Sequence, residues 1–139
     1  MSENRTSGQN PLPRHGEFCW TEITARDLDR SVAFYENVFG WQFRRSASAG
    51  DDMEYIEFST DGGEPIGGLY DVDKMPGRQE VPPHFISYVA VDDVNDTANL
   101  ALELGGRVLR PPTDIPNVGR MAVIADPTGG TMALIKLEQ

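Results

Sequence analysis

Two matching segments of this chain each open on an aspartate and close on a glycine 13 positions later. They run from Asp27 to Gly40 and, 66 residues later, from Asp93 to Gly106. In the first copy Leu28, Val32, Tyr35 and Phe39 recur at spacings of four, three and four, which puts them on one face of a helix. Asp27 suits the N-cap, where its carboxylate accepts a free backbone N–H. Gly40 suits the left-handed residue that closes the last turn. In the second copy Asp93-Val94 opens a helix, Ala98, Ala101 and Leu102 line it, and Gly105-Gly106 ends it. An internal repeat of this length restricts the architecture before any other feature is considered.

The segments between the helices read as strands. They are expected at Phe18–Thr24, Trp41–Arg45, Met53–Ser59 and Pro65–Tyr70 in the first half. In the second half they are expected at His84–Val91, Arg107–Arg110, Met121–Ala125 and Thr131–Leu137. Pro111-Pro112 is expected to end the sixth strand, because proline has no N–H for a ladder. Thr60-Asp61-Gly62-Gly63 and Asp126-Pro127-Thr128-Gly129-Gly130 read as tight turns, and Ser46–Asp52 as a loop. Gly67-Gly68 inside a strand marks a bulge or a close approach to the backbone. Each half therefore reads strand, helix, strand, strand, strand. That order fits an α+β protein of two βαβββ modules better than a ferredoxin-like fold, which has too few strands after its helix.

The domain reading follows. Residues 1–14 are a polar tail rich in Ser, Asn, Gln, Gly and Pro. Residues 15–139 form one domain, with module one at 15–75, module two at 83–139 and a linker at 76–82 inside the proline-containing stretch from Asp71 to Pro83. A chain of 139 residues is long enough to bury a proper core. The net charge of −10 argues against nucleic acid and anionic membranes as partners. No apolar run approaches a membrane span, and the N-terminus lacks the apolar region of a secretory signal. Cys19 is the only cysteine, so an internal disulfide and a cysteine-rich zinc site are both excluded. The expected location is a reducing cytoplasm. His15 reads as part of the solvated entry.

Four pieces of sequence carry a resemblance to a known group. They are Asp27-Leu28 with Ser31, Phe34-Tyr35 and Phe39-Gly40-Trp41; Tyr88-Val89-Ala90-Val91-Asp92-Asp93-Val94; Leu104-Gly105-Gly106; and Gly119-Arg120-Met121-Ala122-Val123 leading to Asp126-Pro127-Thr128-Gly129. In this order the chain resembles the vicinal-oxygen-chelate superfamily, the group of glyoxalase I, bleomycin-resistance and extradiol-dioxygenase proteins. The resemblance covers nearly everything after residue 15. It implies two βαβββ modules whose eight-stranded mixed sheet curls into a cleft. It also implies a divalent metal held by His, Glu or Gln on the first and fourth strands of each module. The matching positions here are Trp20, Gly67, Ile86 and Ala133, and none of these side chains binds a metal. No metal and no other cofactor is therefore expected.

The candidate ligand-binding residues are Trp20, Glu22, His84, Tyr88 and Arg120. Trp20 and Glu22 share one face of the first strand, as an aromatic floor with a polar anchor; otherwise Trp20 fills the space of a metal and Glu22 pairs with an arginine. His84 is a general base or a surface residue at a strand end. Tyr88 reaches a ligand or is a core tyrosine with a paired hydroxyl. Arg120 binds a carboxylate or phosphate, or pairs with Glu22 or Asp126. Trp41, Phe34, Phe39 and Tyr35 read as core, and Cys19 as a small buried hydrophobe. The first expectation is a metal-independent binder of a small organic molecule, the kind bleomycin-resistance proteins exemplify. The second is a metal-dependent glyoxalase-like lyase, isomerase or dioxygenase with Glu22, Glu57 and His84 as an irregular ligand set. The third is a metal-free enzyme using Glu22 or His84 as base. The partner is a small molecule, and a homodimer, with modules paired in one chain or swapped, stays open.

Overall fold

A computed structural model describes residues 12–46, 54–74 and 82–138. The expected tail up to residue 11, most of the 46–52 loop, the start of the third strand at Met53 and the linker at 76–81 lie outside these residues. The elements run β1 Phe18–Ala25, α1 Leu28–Phe39, β2 Gln42–Arg45, β3 Tyr55–Ser59, β4 Gly67–Asp71, β5 His84–Ala90, α2 Val94–Glu103, β6 Arg107–Ile115, β7 Gly119–Ala125 and β8 Thr131–Leu137. A short 3-10 turn, Val72–Lys74, follows β4. The order strand, helix, strand, strand, strand occurs twice, as the repeat requires, and the eight strands pair as a mixed sheet. Among the described residues no helix is long and apolar enough to cross a membrane.

Two compact units are present. One is Trp20–Tyr88; the other joins the segment up to Cys19 to Val89 and the residues after it. In the first unit β1 runs parallel to β4, with Glu22 beside Gly68 and Ile23 beside Leu69. β3 is antiparallel to both β4 and β2. The inward face carries Ile23, Ala25, Leu28, Phe58 and Leu69, and Val32, Tyr35, Trp41, Phe43 and Ile56 pack against them. Helix α1 is positioned by its ends. Asp27 is extended and its carboxylate accepts the Arg30 N–H at 3.2 Å; Gly40, at φ 74°, donates its N–H to the Glu36 carbonyl at 2.9 Å. Asp27→Ala is expected to cost about 1 kcal/mol, read from the midpoint of urea denaturation.

Two aromatic residues expected in the core are not there. Phe34 is 59% exposed and Phe39 is 58% exposed. Phe34 lies about 120° around the helix from the Leu28–Val32–Tyr35 stripe at 100° per residue, so it falls beside the buried stripe and not on it. Phe39 ends the helix; Trp41 and Tyr35 lie against its ring with centroids 4.8 and 6.3 Å away, and more than half of the residue stays exposed. Trp41 itself is core, stacked on Phe58 at 4.5 Å.

In the second unit β7 lies between β8 and β6, antiparallel to both. Val91, Val94, Ala122, Ile124 and Leu134 form its core, with Val89, Ala101, Val108 and Met132 packed on them. Asp93 caps α2 by accepting the Asp96 N–H at 2.9 Å, and Gly106 donates to the Ala101 carbonyl at 2.8 Å past its end. Ala98 and Ala101 face inward as expected, but Leu102, at the edge of the stripe, is half exposed. Strand β6 does not stop at Arg110. It continues through Pro111-Pro112 to Ile115, with register shifts on both sides of Arg110. The irregular pairing frees the prolines from supplying ladder N–H groups, and β6 is last in the strand order, where prolines are tolerated.

Candidate functional site

Alternation along β1 separates two kinds of residue. Ile23 enters the apolar core, while Trp20, Glu22 and Thr24 project to the other face. On that face the Glu22 carboxylate is the centre of a hydrogen-bond network. The Tyr55 hydroxyl donates to Oε2 at 3.1 Å and the Tyr88 hydroxyl donates to Oε1 at 3.0 Å. The Trp20 indole N–H in turn donates to the Tyr55 oxygen at 2.9 Å. Strand β1 thus supplies two members of the network, Trp20 and Glu22, and β3 and β5 one each, Tyr55 and Tyr88. Strand β4 supplies space: a Cβ on Gly68 would lie 1.9 Å from the Tyr55 hydroxyl, so only glycine admits the ring there. Tyr70, the cross-strand neighbour of Tyr55, stacks on it with centroids 6.5 Å apart.

The environment fixes the protonation of Tyr55. Burial pushes the Tyr55 hydroxyl well above its ordinary range, and the nearby Glu22 charge adds to the rise; the Trp20 N–H works in the opposite direction. Tyr55 is therefore a neutral donor throughout the neutral range. Among the described residues no buried side-chain nitrogen or oxygen lacks a partner.

Of the expected site residues, Trp20, Glu22 and Tyr88 meet in this network. His84 does not join it. Its Nδ1 lies 2.8 Å from the Pro82 carbonyl and 3.1 Å from the Thr24 hydroxyl, and its backbone N–H donates to the same hydroxyl at 2.9 Å. Arg120 is on β7 in the other unit. Its guanidinium pairs with Asp114, its cross-strand neighbour, at 2.8 Å and donates to Asn95 at 2.9 Å, in place of the Glu22 or Asp126 partner expected. Tyr55 was not anticipated. The signal was its shared parity with Glu57 against Ile56 and Phe58, but only the strand register brings it to Glu22.

The position assigned on β4 also needs correction. A Cβ on Gly67 would point at Phe58 and the core, whereas Gly68, beside Glu22, is on the Trp20 face. The correction leaves the donor set unchanged, since indole, glycine, isoleucine and alanine at Trp20, Gly68, Ile86 and Ala133 cannot ligate a metal through their side chains. The irregular set does not assemble either. Glu57 accepts from Ser46 at 3.0 Å and pairs with Arg44, His84 is tied to Thr24, and Glu22 holds the tyrosines. Among the described residues no three His, Cys, Asp or Glu side chains are placed to share a metal. These residues do not fit the metal centre that the fold group implies.

Cys19, on the opposite face of β1, is half-buried. Burial raises its thiol, and the Glu17 charge raises it further. Alkylation by iodoacetamide at pH 8 is expected to be several-fold slower than for a free thiol and to recover in denaturant.

Duplicated βαβββ modules define the vicinal-oxygen-chelate class of fold. The chain belongs to the Glyoxalase/Bleomycin resistance protein/Dioxygenase superfamily, whose model matches residues 18–134. It is 36% identical over 134 residues to "Putative glyoxylase CFP32" of Mycobacterium tuberculosis, covering 96% of this chain and 49% of that protein. It is 30% identical over 128 residues to the anthracycline biosynthesis protein DnrV of Streptomyces peucetius, covering 86% and 46%. The chain thus spans about half the length of these curated relatives. Among solved structures it resembles methylmalonyl-CoA epimerase of Streptomyces coelicolor, with a TM-score of 0.64, 16% identity and coverage of 90% and 99%. The Mn(II)-bound glyoxalase of Novosphingobium aromaticivorans gives 0.57, 20%, 90% and 40%. At these identities the structural likeness is one of fold.

Proposed function

We propose that the protein binds a small organic molecule, without a metal, on the face of β1 that carries Trp20 and Glu22. The observation that carries this reading is the Glu22 carboxylate held by two tyrosine hydroxyls on a strand whose metal-ligand position is a tryptophan. Aromatic surface and one oriented carboxylate suit a planar ligand bearing a hydroxyl or amino donor. Tyr88 and Tyr55 hold the carboxylate in place. Similarity to a relative named for anthracycline biosynthesis agrees with small-molecule chemistry of this type.

The test is thermal-shift titration with a panel of hydroxylated planar aromatics, an anthracycline among them. A saturable shift that survives EDTA and is lost in Glu22→Gln is expected. A shift, or turnover, that EDTA removes and a divalent cation restores would overturn the reading.

A further inference from the structure

The misplaced core aromatic, Phe34, borders a feature separate from the Glu22 network. A groove of about 390 Å³ opens at the corner where β1 passes into α1. Its size is within the range of roughly 300–1,000 Å³ found for small-molecule sites. Ile23 and Ala25 contribute apolar wall, and α1 contributes Arg30, Ser31, Phe34 and Tyr35. None of Trp20, Glu22, Tyr55 or Tyr88 lines it.

The helix wall is graded. Arg30 and Ser31 sit in the first turn, and Phe34 and Tyr35 follow four residues later on the same sides, about 5–6 Å further along the axis. Arg26 is at the groove too, but its charge is shared with Asp73, and the Asp27 carboxylate is engaged by the Arg30 backbone N–H. The Arg30 guanidinium makes no ion pair or hydrogen bond among the described residues. In a chain of net charge −10, the groove therefore offers a guanidinium with no ion pair among the described residues, one helical turn from an exposed aromatic ring and beside the Asp27 carboxylate.

We propose that this groove is a second binding site, for a small organic anion with an aromatic body. The carboxylate or sulfonate of such a ligand meets the Arg30 guanidinium, which suits planar oxyanions, and the body lies along Phe34 and Tyr35. The site goes beyond the proposed Glu22 function and shares no network residue with it.

The experiment is a fluorescence titration of the intact chain with anilinonaphthalene sulfonate, repeated with the uncharged N-phenylnaphthylamine. One sulfonate per chain is expected, bound about tenfold more weakly by Arg30→Gln, since a hydrogen bond to a charged group is lost. Phe34→Ser should weaken it similarly, and both substitutions are on exposed helix surface, so the fold is retained. Arg14→Gln, which removes the same charge from another exposed segment, should change nothing. Equal affinity of the parent, Arg30→Gln and Phe34→Ser would overturn the proposal. So would equal binding of the uncharged probe that is indifferent to Arg30. A dimer in solution that Phe34→Ser dissociates would assign the surface to a second copy of the chain and overturn it as well.

Discussion

Gly67→Ala is expected to destabilise the protein by about 3 kcal/mol or more, while Gly68→Ala, one residue on, costs less but disables the candidate site. The two glycines face opposite sides of β4. A Cβ on Gly67 would sit 2.1 Å from the Thr21 carbonyl and 2.5 Å from the Phe58 ring. Thr21 is its register partner in the parallel β1–β4 ladder, and Phe58 is 2% exposed and stacked on Trp41. Backbone on one side and packed core on the other cannot move without breaking the ladder or opening the core. The Cβ of Gly68→Ala would instead meet the end of the Tyr55 side chain. That ring can swing aside, but only by giving up its bonds to Glu22 and Trp20, which costs about 1–3 kcal/mol. Urea denaturation of both variants measures the difference. If Gly68→Ala proved the more destabilising, the assignment of faces on β4 would be wrong.

Features encoded within a few residues were legible in the sequence. The caps Asp27, Gly40 and Asp93 need only local backbone geometry, and each is observed in the expected role. The order of strands followed from the repeat. Features that depend on register were not legible. Tyr55 reaches Glu22 through β4, and Arg120 finds Asp114 across the β6–β7 hairpin. Neither pairing has a fixed spacing in sequence. The parity of Gly67 and Gly68 was lost for the same reason, because a shift of one residue exchanges the two faces of a strand. Pro111-Pro112 misled because the no-proline rule holds for central strands and relaxes at an edge with bulges. Phe34 shows that membership of an amphipathic helix does not bury an aromatic: its angle on the helix places it off the stripe, and it is exposed.

Glu22→Gln is expected to lose about 1–3 kcal/mol of stability, because the amide has one acceptor oxygen and places a donor NH2 against a tyrosine hydroxyl. The size of this effect separates a held carboxylate from an incidental one: a surface Glu→Gln change is nearly neutral. A double-mutant cycle with Tyr55→Phe should show coupling of about 1 kcal/mol or more, since both residues act through one hydrogen bond. Tyr88→Phe should couple to Glu22→Gln in the same way through the other oxygen. Alkaline pH gives an independent reading. The ordinary tyrosine value is 10.0, and folding raises Tyr55 above it, chiefly by burial and then by the Glu22 charge. The unfolded chain therefore loses this proton at a lower pH than the folded one. The contribution is fully present below pH 10 and is lost progressively above it. Tyr55→Phe should flatten the fall of stability above pH 10. Glu22→Gln should flatten it only in part, because burial, the larger cause, remains. A parent protein whose stability was level from neutral pH to well above pH 10 would show that the Tyr55 hydroxyl is not buried against Glu22.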